Sequence, residues 1–100
     1  MRILHAIHTP RFSGAEMLVT SLTAIHTRMG HSSSVVSFNP SEFDFLPVIE
    51  SQEQKGIEWH QPSSALTGLK RTAFYRAISK KVQPDIIFAH SVIPLSLIHI

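Results

Sequence analysis

Two short runs near opposite ends of the chain constrain its fold more than anything between them. Arg2 to His8 reads R-I-L-H-A-I-H and Asp85 to His90 reads D-I-I-F-A-H. Neither alternates polar with apolar residues, as a strand with one wet face does. Both are nearly continuous apolar runs, the pattern of strands covered on both faces in a parallel sheet. Parallel neighbours cannot be joined by a hairpin; they need crossover connections, usually helices.

The intervening sequence supplies those connections. From about Ala15 to Met29 the residues Leu18, Leu22, Ile25 and Met29 recur at helical spacing, with Ala15 and Val19 flanking the stripe. Gly30 stands where a glycine ends a helix. Ser33 to Phe38 reads as a second strand, Pro47 to Gln54 as a short helix closed by Gly56, and Ile57 to His60 as a third strand. Leu66 to Val82 reads as a second long helix with Phe74, Ala77, Ile78 and Val82 on one face, broken by Pro84. The order β-α-β-α-β-α-β with right-handed crossovers predicts an α/β, Rossmann-like parallel sheet with strands in the order 3-2-1-4. That is the first half of such a domain, and a complete one continues with further strands.

Composition narrows the function classes. The 100 residues contain 43% hydrophobic and only 16% charged residues, which suits a piece built to be covered by more protein. With no cysteine, thiol catalysis, disulfides and cysteine-ligated metals are excluded, and a cytoplasmic protein is the expectation. A net charge of +2 is too small to imply a nucleic-acid partner. No apolar run approaches the roughly 18 residues of a membrane span, and no signal-peptide pattern is present.

The loop between the first strand and the first helix, Ile7 to Glu16, reads I-H-T-P-R-F-S-G-A-E. In open α/β sheets ligands bind at the carboxyl ends of the strands, and free N–H groups at a helix start favour an anion. The dinucleotide fingerprint requires three glycines and an acid about 20 residues later. Here only Gly14 is present, and Phe38 and Asn39 stand where the acid belongs. A phosphate loop of the Gly-Lys-Ser/Thr type is absent from the sequence.

Three patches, in order and spacing, resemble the N-terminal domain of family 4 glycosyltransferases, the large retaining GT-B group. The first is R-I-L-H-A-I-H followed by S-G-A-E. The second is Met29-Gly30-His31 followed by Val35-Val36, and the third is Pro84-Asp85-Ile86-Ile87-Phe88-Ala89-His90-Ser91. The resemblance implies an enzyme of two Rossmann-like domains that transfers a sugar from a nucleotide diphosphate sugar to a carbohydrate or lipid-linked acceptor with retention. It implies no obligatory metal and no cofactor, the nucleotide sugar being a substrate. This chain would be the acceptor-side fragment, inactive alone, and the missing C-terminal domain would bind most of the donor and carry an acidic E-x7-E motif.

Residue by residue, the resemblance places Gly14, with Ser13 and Ala15, against the donor phosphates, and His90, followed by Ser91, beside the reacting sugar as the catalytic candidate. The family often has a second glycine where this chain has Ser13. Lacking a Cβ, Gly14 allows close backbone approach and unusual dihedrals; read from turn chemistry alone, it fits a tight strand-to-helix turn with no ligand. Glu16 falls in the first helical turn, where a carboxylate stabilises the dipole. His90 should face the same crevice as Gly14, with a strand-end capping role as the other reading. His8 ends its strand at that crevice, whereas His5 reads as a hydrogen-bonded core histidine. The two point to opposite faces and cannot chelate one metal. His26, His31 and His60 show no ligand spacing, so no metal site is expected.

Between Glu58 and Asp85 there is no acid, while Lys70, Arg71, Arg76, Lys80 and Lys81 are basic. Residues 66–82 fit either peripheral contact with an anionic membrane surface or, as their spread around the helix favours, a solvated face. Leu95 to Ile100, L-S-L-I-H-I, matches the translation of a sequencing-adapter end, which would put the native part at residues 1–94; the other reading makes it the start of the next helix. Two further classes remain: a non-catalytic Rossmann-like or flavodoxin-like binding module, and a fragment of a GT-B sugar-nucleotide epimerase.

Overall fold

The computed structural model describes residues 1–90; the expectations for Ser91 and for residues 95–100 lie outside the described residues. The elements are β1 (Arg2–Ile7), α1 (Gly14–Arg28), β2 (Ser32–Ser37), a 3-10 turn (Phe43–Phe45), α2 (Leu46–Gln54), β3 (Glu58–His60), α3 (Leu69–Val82) and β4 (Ile86–Ala89). All four strands are parallel, in the order β3-β2-β1-β4. β1 lies against β2 from Arg2↔Ser32 to Ile7↔Ser37 and against β4 from Ile3↔Ile86 to Ala6↔Ala89.

The continuous apolar character of β1 has the expected cause: both of its faces are covered. Ile7 packs with Val19 of α1, Val35, Trp59, and Phe45 and Ile49 of the 3-10 turn and α2. On the other face Leu4 and Ala6 pack with Val36, Phe38 and Tyr75 of α3, and Phe74, Ile78 and Ile87 lean on that cluster. Gly30 and Gly56 end α1 and α2 with φ of 89° and 87°, conformations that a side chain resists.

The inward face of α1 differs from the one its apolar spacing predicts. Glu16, Val19 and Thr23 are buried, while Leu18, Ile25 and Met29 are 53%, 42% and 66% exposed. The helix is rotated by about 100° from the apolar stripe, or one residue step. Hydrogen bonding is the reason. Thr23 Oγ1 donates to Val19 O and to Gln52 Oε1, and Glu16 accepts from the Ser13 hydroxyl, so these polar groups enter the core satisfied. Leu18 and Met29 are left at the surface, and Ile25 borders a surface groove with Pro47, Val48 and Ser51 of α2.

Two smaller departures concern α3. It starts at Leu69 rather than Leu66, because the Leu66 N–H bonds to Phe38 O and Gly68 turns with φ 54°. Its buried residue is Tyr75, and Ala77 is exposed. Among the described residues no helix is long and apolar enough to cross a membrane.

Candidate functional site

Starting from β1, the chain winds outward through β2 to β3 and then returns to place β4 on the other side of β1. The winding reverses between β1 and β4, and their carboxyl ends border the crevice where ligands bind in such sheets. Four segments reach that edge: His8 and Thr9 after β1, Gly14 at the start of α1, Asn39 after β2 and His90 after β4.

Gly14 opens α1, with Ser13 at the N-cap in extended conformation. Its φ is not in the positive region, and a Cβ built on it meets no atom within 4 Å. The expectation of unusual dihedrals at Gly14 is therefore corrected: its backbone is not in the region that favours glycine, and among the described residues no packing demands glycine here. Ser13 O accepts the Met17 N–H at 3.0 Å, closing the first helical turn. The N–H groups of Gly14, Ala15 and Glu16 precede that bond and are the orphan donors of a helix start. The Ser13 hydroxyl caps no backbone group and instead donates to the buried Glu16 carboxylate. That carboxylate favours the helix dipole and also places a negative charge beside any anion approaching the orphan donors.

His8 is tied to the second loop. Its carbonyl accepts from Phe38 N at 3.2 Å and from Asn39 N at 3.0 Å. The Asn39 side-chain amide lies 3.2 Å from His8 Nε2 and donates to Thr9 Oγ1 at 2.8 Å. With Nε2 accepting, His8 carries its proton on Nδ1.

His90 continues the β4 ladder, its N–H bonding to Ala6 O at 3.0 Å. Its Nε2 lies 2.9 Å from Nδ1 of His5, so this ring nitrogen is engaged with the sheet face under α1. Any contact with a ligand in the crevice falls to Nδ1 or the ring edge. Burial pushes the His90 pKa below the usual histidine value, which keeps the ring neutral near pH 7.

His5 is wholly buried, as a core histidine should be. Burial above all, and then the neighbouring His90 and His26, lower its pKa to about 4. The ring stacks on Phe88 and on His90, each at 5.2 Å between centroids, and on His26 of α1 at 5.9 Å. Among the described residues His5 Nε2 and His26 Nδ1 are buried without a hydrogen-bond partner.

Sequence reasoning did not bring His26 into this group, and no spacing could, because positions 5, 26 and 90 sit on three different elements. The His5–His90 pairing was accessible in principle from the 3-2-1-4 order, which makes their strands neighbours. Among the described residues no three His, Asp or Glu side chains converge as metal ligands. Comparison of the chain with known protein families, with curated proteins and with solved structures gave no match.

Proposed function

We propose that this chain is the acceptor-side portion of a retaining GT-B glycosyltransferase, with a nucleotide diphosphate sugar as donor and a carbohydrate or lipid-linked molecule as acceptor. The observation that carries the reading is Gly14. It stands at a helix start beside the crevice, and among the described residues no backbone geometry or packing asks for glycine there. A missing Cβ at that place permits close approach of a diphosphate to the orphan N–H groups. Of the three sequence patches that resemble family 4 enzymes, the first and third run to the same crevice, at Gly14 and His90.

In this reading the residues divide the work. Ser13, Gly14 and Ala15 offer backbone donors to the donor phosphates. His90, neutral near pH 7 and half-buried at the end of β4, presents a ring nitrogen toward the reacting sugar or acceptor hydroxyl. His8 and Asn39, fixed to each other, shape the floor between β1 and β2. The donor-binding domain with its acidic motif lies in a separate part of the protein. The basic α3 surface, with Lys70, Arg76, Lys80 and Lys81 exposed, gives a cytoplasmic enzyme a means of touching an anionic membrane.

The test is the coding sequence downstream together with turnover. The reading expects a second Rossmann-like half carrying E-x7-E, no sugar transfer by the chain alone, and transfer by the joined protein. In that protein His90→Ala lowers kcat/KM by about 10²–10⁴, the range of a lost proton-transfer group. A downstream sequence without that half, or sugar transfer by the purified chain alone, contradicts it.

A further inference from the structure

β4 is an edge strand among the described residues and pairs only with β1. On the α3 face its Ile87 leans on the Leu4, Ala6 and Tyr75 cluster. On the α1 face Ile86 lies beside the buried Ile3, and the strand's carboxyl half is held by imidazoles. Phe88 stacks on His5 at 5.2 Å and on His26 at 6.4 Å, and the His90 ring bonds to His5 at 2.9 Å. His31, at the turn after α1, meets His26 edge-on at 6.3 Å, so the histidines form a row under that helix flank.

We infer that the His5–His26–His90 stack is an acid-sensitive latch, which holds β4 on β1 while the rings are neutral and releases that strand when the cluster takes up protons. The facing nitrogens of His5 and His90 share one hydrogen, one donating and the other accepting. A first added proton leaves a charged donor and a neutral acceptor, and the bond survives. A second gives both facing nitrogens a hydrogen and puts two cations in contact, so the bond cannot form. The third ring, His26, stacks on His5 at 5.9 Å and has a buried Nδ1 with no partner among the described residues.

Among the described residues no carboxylate beside the stack offsets that charge. From α1 the stack is faced by His26, while Glu16, nearer the start of the helix, is held by Ser13. The turn after α1 contributes His31, whose Nδ1 lies 3.2 Å from the Met1 amino group, itself a cation. β2 flanks His5 with Val35, its register partner, and with Ser33 two residues back. β4 contributes Phe88 and His90, and Asp85 just before it accepts from the Arg2 N–H. No carboxylate bonds to any of the three rings among the described residues. The pKa of His5, lowered to about 4 by burial and then by its neighbours His90 and His26, agrees with a stack that resists accumulating charge and opens in acid. The latch is a property of the fold and stands whichever ligand the crevice takes.

Amide exchange of the full 15N-labelled chain, read as protection factors from pH 7 to pH 4, tests the inference. The amides of Ile86 to Ala89 should lose at least about tenfold more protection than those of Val35 and Val36 before the sheet as a whole unfolds. His90→Gln keeps a neutral partner for His5 and should move the release to lower pH, whereas Asp85→Asn should leave its pH unchanged. His5→Phe, which keeps a ring under Phe88, should abolish selective release; should that variant fail to fold, His90→Gln decides. Simultaneous loss of protection in β2 and β4 overturns the latch. So does a release unaltered by His90→Gln, or one abolished by Asp85→Asn.

Discussion

Two polar clusters lie buried on the same face of the sheet, and they are finished to different degrees. Toward β3, Gln52 of α2 joins three elements. Its Oε1 accepts from Thr23 of α1 at 3.0 Å and from the Trp59 indole at 3.1 Å, and its Nε2 donates to Thr20 O at 3.0 Å. Toward β4, His5 makes one ring bond, to His90, and the buried nitrogens His5 Nε2 and His26 Nδ1 have no partner among the described residues. The two clusters differ in satisfaction and in cover, His26 and His90 being only half-buried. A satisfied buried network fixes geometry, whereas a partly satisfied one is costly and responds to protons or ligands. The β3 side is therefore scaffold, and the β4 side, which borders the crevice, is where the molecule responds.

The largest expected contrast is with pH. The folded-state pKa of His5, about 4, lies below the 6.5 of an ordinary histidine. Its contribution to stability is complete above about pH 6.5 and is lost as the pH falls toward 4, because the unfolded chain takes up the proton first. Urea unfolding at the two ends of that window should differ by on the order of 3 kcal/mol from this group. In His5→Phe that dependence should flatten. An equally steep loss in the variant would place the acid sensitivity elsewhere.

Next in size is the scaffold side. Gln52→Ala leaves the Trp59 N–H buried without its acceptor, while the Thr23 hydroxyl keeps Val19 O, and should cost about 1–3 kcal/mol by urea unfolding at pH 7. This effect should not vary between pH 7 and pH 5. A pH-dependent cost would mean that the two clusters are coupled rather than separate.

The order of elements and the sheet topology were legible because apolar runs, helical spacing and terminal glycines such as Gly30 and Gly56 are local signals. The orientation of α1 was not. Its apolar stripe was visible, but which flank turns inward depends on Gln52 reaching Thr23 from 29 positions away. Val19→Ala should accordingly cost about 2 kcal/mol by lost burial, whereas Leu18→Ala should stay within about 0.5 kcal/mol. Reversed values would restore the stripe as the inner face. In the crevice, Gly14, His8 and His90 were identifiable from strand ends and a helix start. The His5 bond that takes up one nitrogen of His90 required the partner strand.

Gly14 provides the most direct measurement of whether the crevice is a phosphate site. Its conformation is open to a side chain and no atom of the described residues lies within 4 Å of a Cβ there, so Gly14→Ala should stabilise the fold by about 0.4–1 kcal/mol through the unfolded state. Titration of the 15N-labelled chain with uridine diphosphate and with pyrophosphate should shift the amides of Gly14, Ala15 and Glu16, and in Gly14→Ala those shifts should weaken at least about tenfold, a loss of about 1.4 kcal/mol in binding. A more stable variant that binds diphosphate less well is the predicted result. Unchanged shifts in the variant, or no shift at those amides in the native chain, would contradict it.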